Sequence, residues 1–170
     1  PKIQNVQIEN YNCDEKFDLI FSINVFEHVK DWMKYIEQTS NLLKKDGSNI
    51  ILAPNYDFPY EPHFVIPIII NKKITKFFFK NKIDKNEMKT NEKGLWDGLN
   101  IAGQKKIKSY LKNQNYPYFF DYSIKNRILD RIYNDKEFKR RQGIAAYMAI
   151  FAKFFFLDKL IFDFFKIPFP

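Results

Sequence analysis

Residues 17–24, FDLIFSIN, would put apolar side chains on both faces of an extended chain, and residues 48–55, SNIILAPN, do the same up to Pro54. Such runs are expected of strands in the middle of a parallel sheet, where both faces are covered. Between them, Trp32, Tyr35, Ile36, Leu42 and Leu43 recur near helical spacing over WMKYIEQTSNLLKK. That spacing predicts a helix, with Asp31 as its N-cap. The KDG that follows predicts its end: Lys44 and Lys45 suit the negative terminus, and Gly47 suits a left-handed cap. Strand, helix and strand with short joints predict a right-handed parallel crossover, hence an α/β sheet. Upstream, NVQIEN at residues 5–10 alternates apolar and polar positions and predicts a short strand, with YNCDEK as a polar loop after it.

Downstream the pattern changes. Residues 64–83, FVIPIIINKKITKFFFKNKI, alternate apolar clusters with lysines and are broken by Pro67. The run is too short to span a bilayer, which takes about 20 apolar residues, and it reads either as a lid over a greasy ligand or as a membrane-surface segment. Ile101, Ile107 and Leu111 predict a further helix, and YPYFFDYS at residues 116–123 predicts a strand. Residues 143–170 form an apolar tail whose charges are Lys153, Asp158, Lys159, Asp163 and Lys166. Three readings stand for it: core helices packed against the sheet, a segment lying on a membrane surface beside the basic KEFKRRQ, or one wall of a hydrophobic acceptor site.

Composition narrows the classes. A chain of 170 residues is one domain's worth. Its 28 Lys and Arg against 20 Asp and Glu give a net charge of +8, which favours anionic partners. The same chain is rich in Lys, Asn, Ile and Phe, a drift that A/T-rich coding also produces. The basic residues are spread along the whole length with no recognition motif, so no nucleic-acid partner is expected. One cysteine, Cys13, excludes an internal disulfide and a cysteine cluster for zinc, and fits a reducing cytoplasm. There is no G-x-S-x-G and no H-E-x-x-H, and the two histidines lie 35 positions apart, so neither a serine hydrolase nor a metal site is expected. No secretory leader is read at Pro1, and the chain stops in an apolar, proline-broken run, so both ends read as cut edges.

In an open parallel sheet, ligands sit beyond the carboxyl ends of the strands. Asn24 to His28 occupy that position for the first apolar strand, and Asn55 to His63 for the second. Glu27, His28 and His63 are therefore candidate catalytic groups, the histidines as bases near neutral pH. In NYDFPYEPHF, residues 55–64, Pro59 and Pro62 stiffen the loop while Tyr56, Phe58 and Tyr60 offer aromatic walls. A purely structural role for each of these groups stands beside the functional one.

The stretch FDLIFSINVFEHVKDWMKYIEQTSNLLKKDGSNIILAPN resembles the middle of class I S-adenosylmethionine-dependent methyltransferases of the small-molecule type, with Asp18, Glu27, His28, Gly47, Pro54 and Asn55 in register. Lys45 and Asp46 stand where that pattern has proline and a first glycine. The resemblance implies a partial Rossmann-like α/β sheet with helices on both faces, its fourth and fifth strands at residues 17–24 and 48–54 and its third near 5–10. It implies a methyltransferase portion over residues 1–142, with 55–98 as an acceptor-side insertion, followed by the apolar helical tail 143–170. It places Asn10 and Cys13 near the adenine of S-adenosylmethionine and Ser22, Asn24 and Val25 beside its methionine part. Asn55, Tyr56 and Tyr60 would then bind the acceptor.

One departure bears on function. The family's glycine-rich first loop, and the acid that holds the ribose, have no counterpart among these residues, and no G-x-G occurs. The chain is therefore expected to be the carboxyl-terminal part of a methyltransferase, inactive alone, whose partners are a small-molecule acceptor, lipid-like or lipid-linked, and the missing amino-terminal part of the same domain. Peripheral membrane contact through residues 143–170 is a further expectation. The alternative is a noncatalytic methyltransferase-like partner or membrane-surface scaffold.

Overall fold

The computed structural model describes residues 5–11 and 13–154, which divide into two compact units, one through Tyr110 and one from Leu111 onward. In the first, β1 (Phe17–Ile23) leads through a 3₁₀ turn at Phe26–His28 into α1 (Trp32–Asn41) and then β2 (Leu43–Leu52), which pairs parallel to β1. A two-residue antiparallel hairpin, β3 (Tyr60–Glu61) and β4 (Ile66–Pro67), follows, and then α2 (Lys72–Thr90), α3 (Leu95–Gly98) and α4 (Gln104–Asn113). The result is a mixed α/β architecture with a small parallel sheet.

The predicted crossover forms, and Asp31 caps α1 by accepting from the Lys34 N–H at 3.1 Å. Trp32, Tyr35, Ile36 and Thr39 make the buried face of α1. The helix stops earlier than its apolar spacing predicts. The Leu42 carbonyl accepts from Phe17 N–H at 2.8 Å, which commits the chain to the sheet at that point. Gly47 is correspondingly not a helix cap. It sits where β2 bulges against β1, and a Cβ there would lie 2.7 Å from the Phe17 carbonyl oxygen.

Two predicted strands are absent. Residues 5–10 hold a 3₁₀ turn over Ile8–Asn10, closed by Asn10 N–H donating to the Gln7 carbonyl, because no neighbouring strand offers them a ladder. Residues 116–122 are irregular for the same reason.

Burial on both faces of the sheet, and helices on both sides, is also not what the described residues form. Leu19, Phe21, Ile23, Ile50 and Leu52 share one face and are exposed, Phe21 by 68%. On the opposite face Ser22 is buried and Asn49 Nδ2 donates to Thr39 Oγ1 of α1 at 2.8 Å. A pair of strands with one crossover helix covers one face only.

Beneath the hairpin, Phe64, Ile66, Ile83, Trp96 and Leu99 form an apolar cluster. In the second unit, α5 (Ile124–Asn134), α6 (Lys136–Gln142) and α7 (Ile144–Phe154) pack around Leu129, Ile132, Ala146 and Ala149. Within this unit Ala146 and Ala149 of α7 are buried, while Tyr147 is exposed. Residues 155–170 of the tail lie outside the described residues. Among the described residues no helix is long and apolar enough to cross a membrane.

Candidate functional site

At the carboxyl end of β1 the chain turns sharply. Asn24 takes φ 53°, a left-handed conformation that asparagine tolerates better than most residues, while its N–H continues the sheet by donating to Leu52 O at 2.9 Å. The following 3₁₀ turn buries Phe26 and Glu27 and leaves His28 at the surface. Phe26 packs edge-on against Tyr35, which anchors the turn to α1.

Asn100, just beyond α3, clamps the same turn. Its Nδ2 donates to Phe26 O at 2.6 Å and to Val29 O at 2.7 Å, and its backbone N–H donates to Glu27 O at 2.8 Å. Lys72 of α2 holds this connection by donating to the Asp97 and Leu99 carbonyls.

The hairpin brings the second histidine to the same place. Glu61, fully buried, takes three contacts: Phe64 N–H donates to it at 2.8 Å, Tyr56 O–H at 3.2 Å, and His63 Nδ1 lies 2.6 Å from its Oε1. Asn86 Nδ2 donates to the His63 carbonyl at 2.9 Å, fixing the loop from α2. His63 Nε2 then faces Glu27 Oε1 at 3.8 Å, and His28 Nε2 lies 3.9 Å from the same oxygen. The two imidazoles meet edge to face, 5.1 Å between ring centres. Thus the three catalytic candidates, Glu27, His28 and His63, converge.

Charge shapes this cluster. The hydrogen bond that His63 donates to Glu61 holds the His63 ring above the usual histidine range; desolvation opposes it, and the charges of Glu61, Glu27 and Glu92 add to it. Burial pushes the Tyr56 hydroxyl far above its ordinary value, with Glu61 and Glu27 reinforcing it. Tyr56 is therefore a neutral donor to Glu61 and not an acid.

The other predicted positions fall elsewhere. Tyr60 is half-buried against Phe58, and the Asn55 side chain is occupied, its Oδ1 accepting from Asp57 N–H and Gln104 N–H. Asn10 Oδ1 accepts from Lys34 Nζ at 3.5 Å, and Cys13 Sγ accepts from Glu15 N–H at 3.3 Å. Ser22 is buried in the sheet, and Val25 is exposed at the turn.

Gly47 and Gly103 lie tight against protein atoms, while Gly94, Gly98 and Gly143 have open space around them and belong to no strand-to-helix phosphate-type turn. Sequence reasoning missed two groups that build the site. Glu61 was legible in principle as the E-P-H triplet with His63, whereas Asn100 reaches its carbonyl partners across more than 70 positions and leaves no local signal.

Comparison with known proteins places the chain in a class: residues 2–121 match the methyltransferase domain family, and the chain belongs to it. Among its relatives are two proteins of Mycobacterium tuberculosis, MT1557 of strain CDC 1551 / Oshkosh and Rv1509 of strain ATCC 25618 / H37Rv, both described as uncharacterized. Each is 34% identical over 144 residues, covering 84% of this chain and 49% of the relative. The chain thus spans about half the length of the curated relatives it matches. No solved structure matches it.

Proposed function

We propose that this chain carries the acceptor side of a methyltransferase acting on a small-molecule acceptor, with S-adenosylmethionine as the donor. The observation that carries the reading is the convergence of Glu27, His28 and His63 at the carboxyl end of a parallel strand in a chain of the methyltransferase domain family. S-adenosylmethionine, when bound, supplies an electrophilic methyl group. The residues here align an acceptor and manage its proton.

His63, oriented by Glu61, and His28 offer ring nitrogens to an acceptor hydroxyl or amine, and Glu27 favours the imidazolium that results. Tyr60 and Phe58 supply an aromatic wall for a greasy acceptor. The cofactor's glycine-rich cradle, on this proposal, comes from outside these residues. The open apolar face of β1 and β2 supports that division, since a face of five exposed apolar residues suits a covering layer.

Calorimetric titration of the 170-residue chain with S-adenosylmethionine tests the division: weak or absent binding is expected, and tight stoichiometric binding would overturn it. With a glycine-rich half supplied, His63→Ala should lower turnover of a hydroxyl acceptor by roughly 100-fold or more. A noncatalytic surface role is favoured by one feature, the exposed Tyr147 on apolar α7, and failure to cosediment with anionic liposomes would dispose of it.

A further inference from the structure

We infer that Glu27, His28 and His63 bind a divalent first-row transition-metal ion. Glu27 is 1% exposed, and neither of its carboxylate oxygens has a hydrogen-bond partner among the described residues. A buried carboxylate left without donors is strongly unfavourable. A cation beside Glu27 offsets that cost, and an imidazolium or a bound metal ion can supply it.

The donors around it are spaced for one. His28 Nε2 and His63 Nε2 lie 3.9 and 3.8 Å from Glu27 Oε1, and one ligand atom from each of the three residues falls within 4.8 Å of the others. With metal–ligand bonds of about 2.0–2.2 Å, donors around one ion sit roughly 3–4 Å apart, so the two separations from Glu27 need draw in by a few tenths of an ångström, and a pair at the outer limit of the cluster by about an ångström.

The outer partner is present as well. A metal-bound imidazole donates its second N–H to a carboxylate or carbonyl, and His63 Nδ1 lies 2.6 Å from buried Glu61 Oε1. With the ring proton on that side, the Nε2 lone pair points toward the Glu27 carboxylate at 3.8 Å, an arrangement that repels unless a cation or a second proton lies between.

Two imidazoles and one carboxylate suit Zn²⁺, Fe²⁺ or Co²⁺ and not Mg²⁺ or Ca²⁺, which take oxygen ligands. Three protein ligands leave coordination positions for water or a substrate oxygen, on the side where the His28 and His63 side chains are 34% and 29% exposed. On the methyl-transfer reading above, on which this consequence alone rests, an acceptor hydroxyl bound to the ion would release its proton to solvent near neutral pH, the ion then replacing the two coordinated histidines as the group that activates the acceptor. Binding of the ion does not depend on that reading.

The chain's two histidines are the two proposed ligands, so ¹⁵N NMR of the imidazoles in untagged protein reports the site without any substitution. One equivalent of Zn²⁺ is expected to move both Nε2 signals to metal-bound positions. A Co²⁺ titration followed by visible absorption is expected to saturate at one ion per chain. Glu61→Gln should weaken Co²⁺ binding about 10- to 100-fold, and Glu27→Gln more, with circular dichroism checking that each variant folds. Imidazole signals unchanged by excess Zn²⁺, or a His63 ring that stays doubly protonated in its presence, would overturn the inference and leave an imidazolium as the buried cation. Metal binding by the chain, with no methyl transfer even after a glycine-rich half is supplied, would instead refute the functional reading and leave the site standing.

Discussion

Replacing Asn100 by alanine removes two side-chain donors from the turn that carries Glu27 and His28 while sparing the backbone bond from Asn100 N–H to Glu27 O. Each neutral hydrogen bond is worth about 1 kcal/mol, and a buried carbonyl left without its donor costs about 1–3 kcal/mol. The Phe26 carbonyl retains a bond from Val29 N–H at 3.2 Å, so the larger penalty falls on Val29, whose residue is buried. The sum is about 2–4 kcal/mol. For a urea slope of about 2 kcal/mol/M, the midpoint should drop by roughly 1–2 M with the slope unchanged. Both tryptophans, Trp32 and Trp96, lie in the first unit, so fluorescence follows the unfolding of that unit. Asn100→Asp is the sharper control, because a carboxylate cannot donate and would face two carbonyl oxygens. It should be at least as destabilised. A loss below about 0.5 kcal/mol in the alanine variant, or an aspartate variant as stable as the parent, would refute the clamp.

Other outcomes follow from single contacts. Gly47→Ala puts a Cβ 2.7 Å from the Phe17 carbonyl oxygen, so β1 and β2 must part locally; a loss of about 1–3 kcal/mol is expected in the same urea assay. Val65 holds φ 53° between β3 and β4, a conformation that costs a side-chain-bearing residue about 1–2 kcal/mol, and glycine's larger entropy loss on folding offsets about 0.5–1 kcal/mol of that, so Val65→Gly should raise the midpoint slightly, and a clear fall would count against strain there. Asp135 caps α6 through Phe138 N–H and pairs with Arg131, and these hold its carboxyl below the ordinary range. A carboxyl depressed in the folded state stabilises above its unfolded pKa of about 3.9 and loses that contribution as pH falls through the folded value. Helicity followed by circular dichroism from pH 6 to pH 2 should therefore fall less steeply on acidification in Asp135→Asn than in the parent.

What the chain encodes locally is the crossover. Apolar runs at residues 17–24 and 48–54, the 3.6-residue spacing of Trp32, Tyr35 and Ile36, and Asp31 ahead of them are each short-range signals, and each forms the element that the signal predicts. Short-range physics is enough there because periodicity and capping involve neighbours within one or two turns. The same signals overreach where a long-range bond competes. The apolar spacing through Leu43 would extend α1, yet Phe17 N–H takes the Leu42 carbonyl and draws the next residues into β2. Residues 5–10 carry a strand's alternation but have no strand beside them, and a strand's backbone groups are satisfied only by a neighbour.

The site divides the same way. That Glu27 and His28 follow a buried-type strand, and that His63 follows the second within a proline-stiffened loop, is plain from residue order. That His63 Nε2 should point at Glu27, with Glu61 behind it and Asn100 fastening the turn, is not. Those contacts depend on the hairpin folding back over Phe64 and Ile66 onto Ile83, Trp96 and Leu99, an apolar cluster assembled from segments distant in the chain. Hydrophobic burial is non-directional, so a sequence says which residues must be buried, and only the packed chain fixes which polar groups that burial brings face to face.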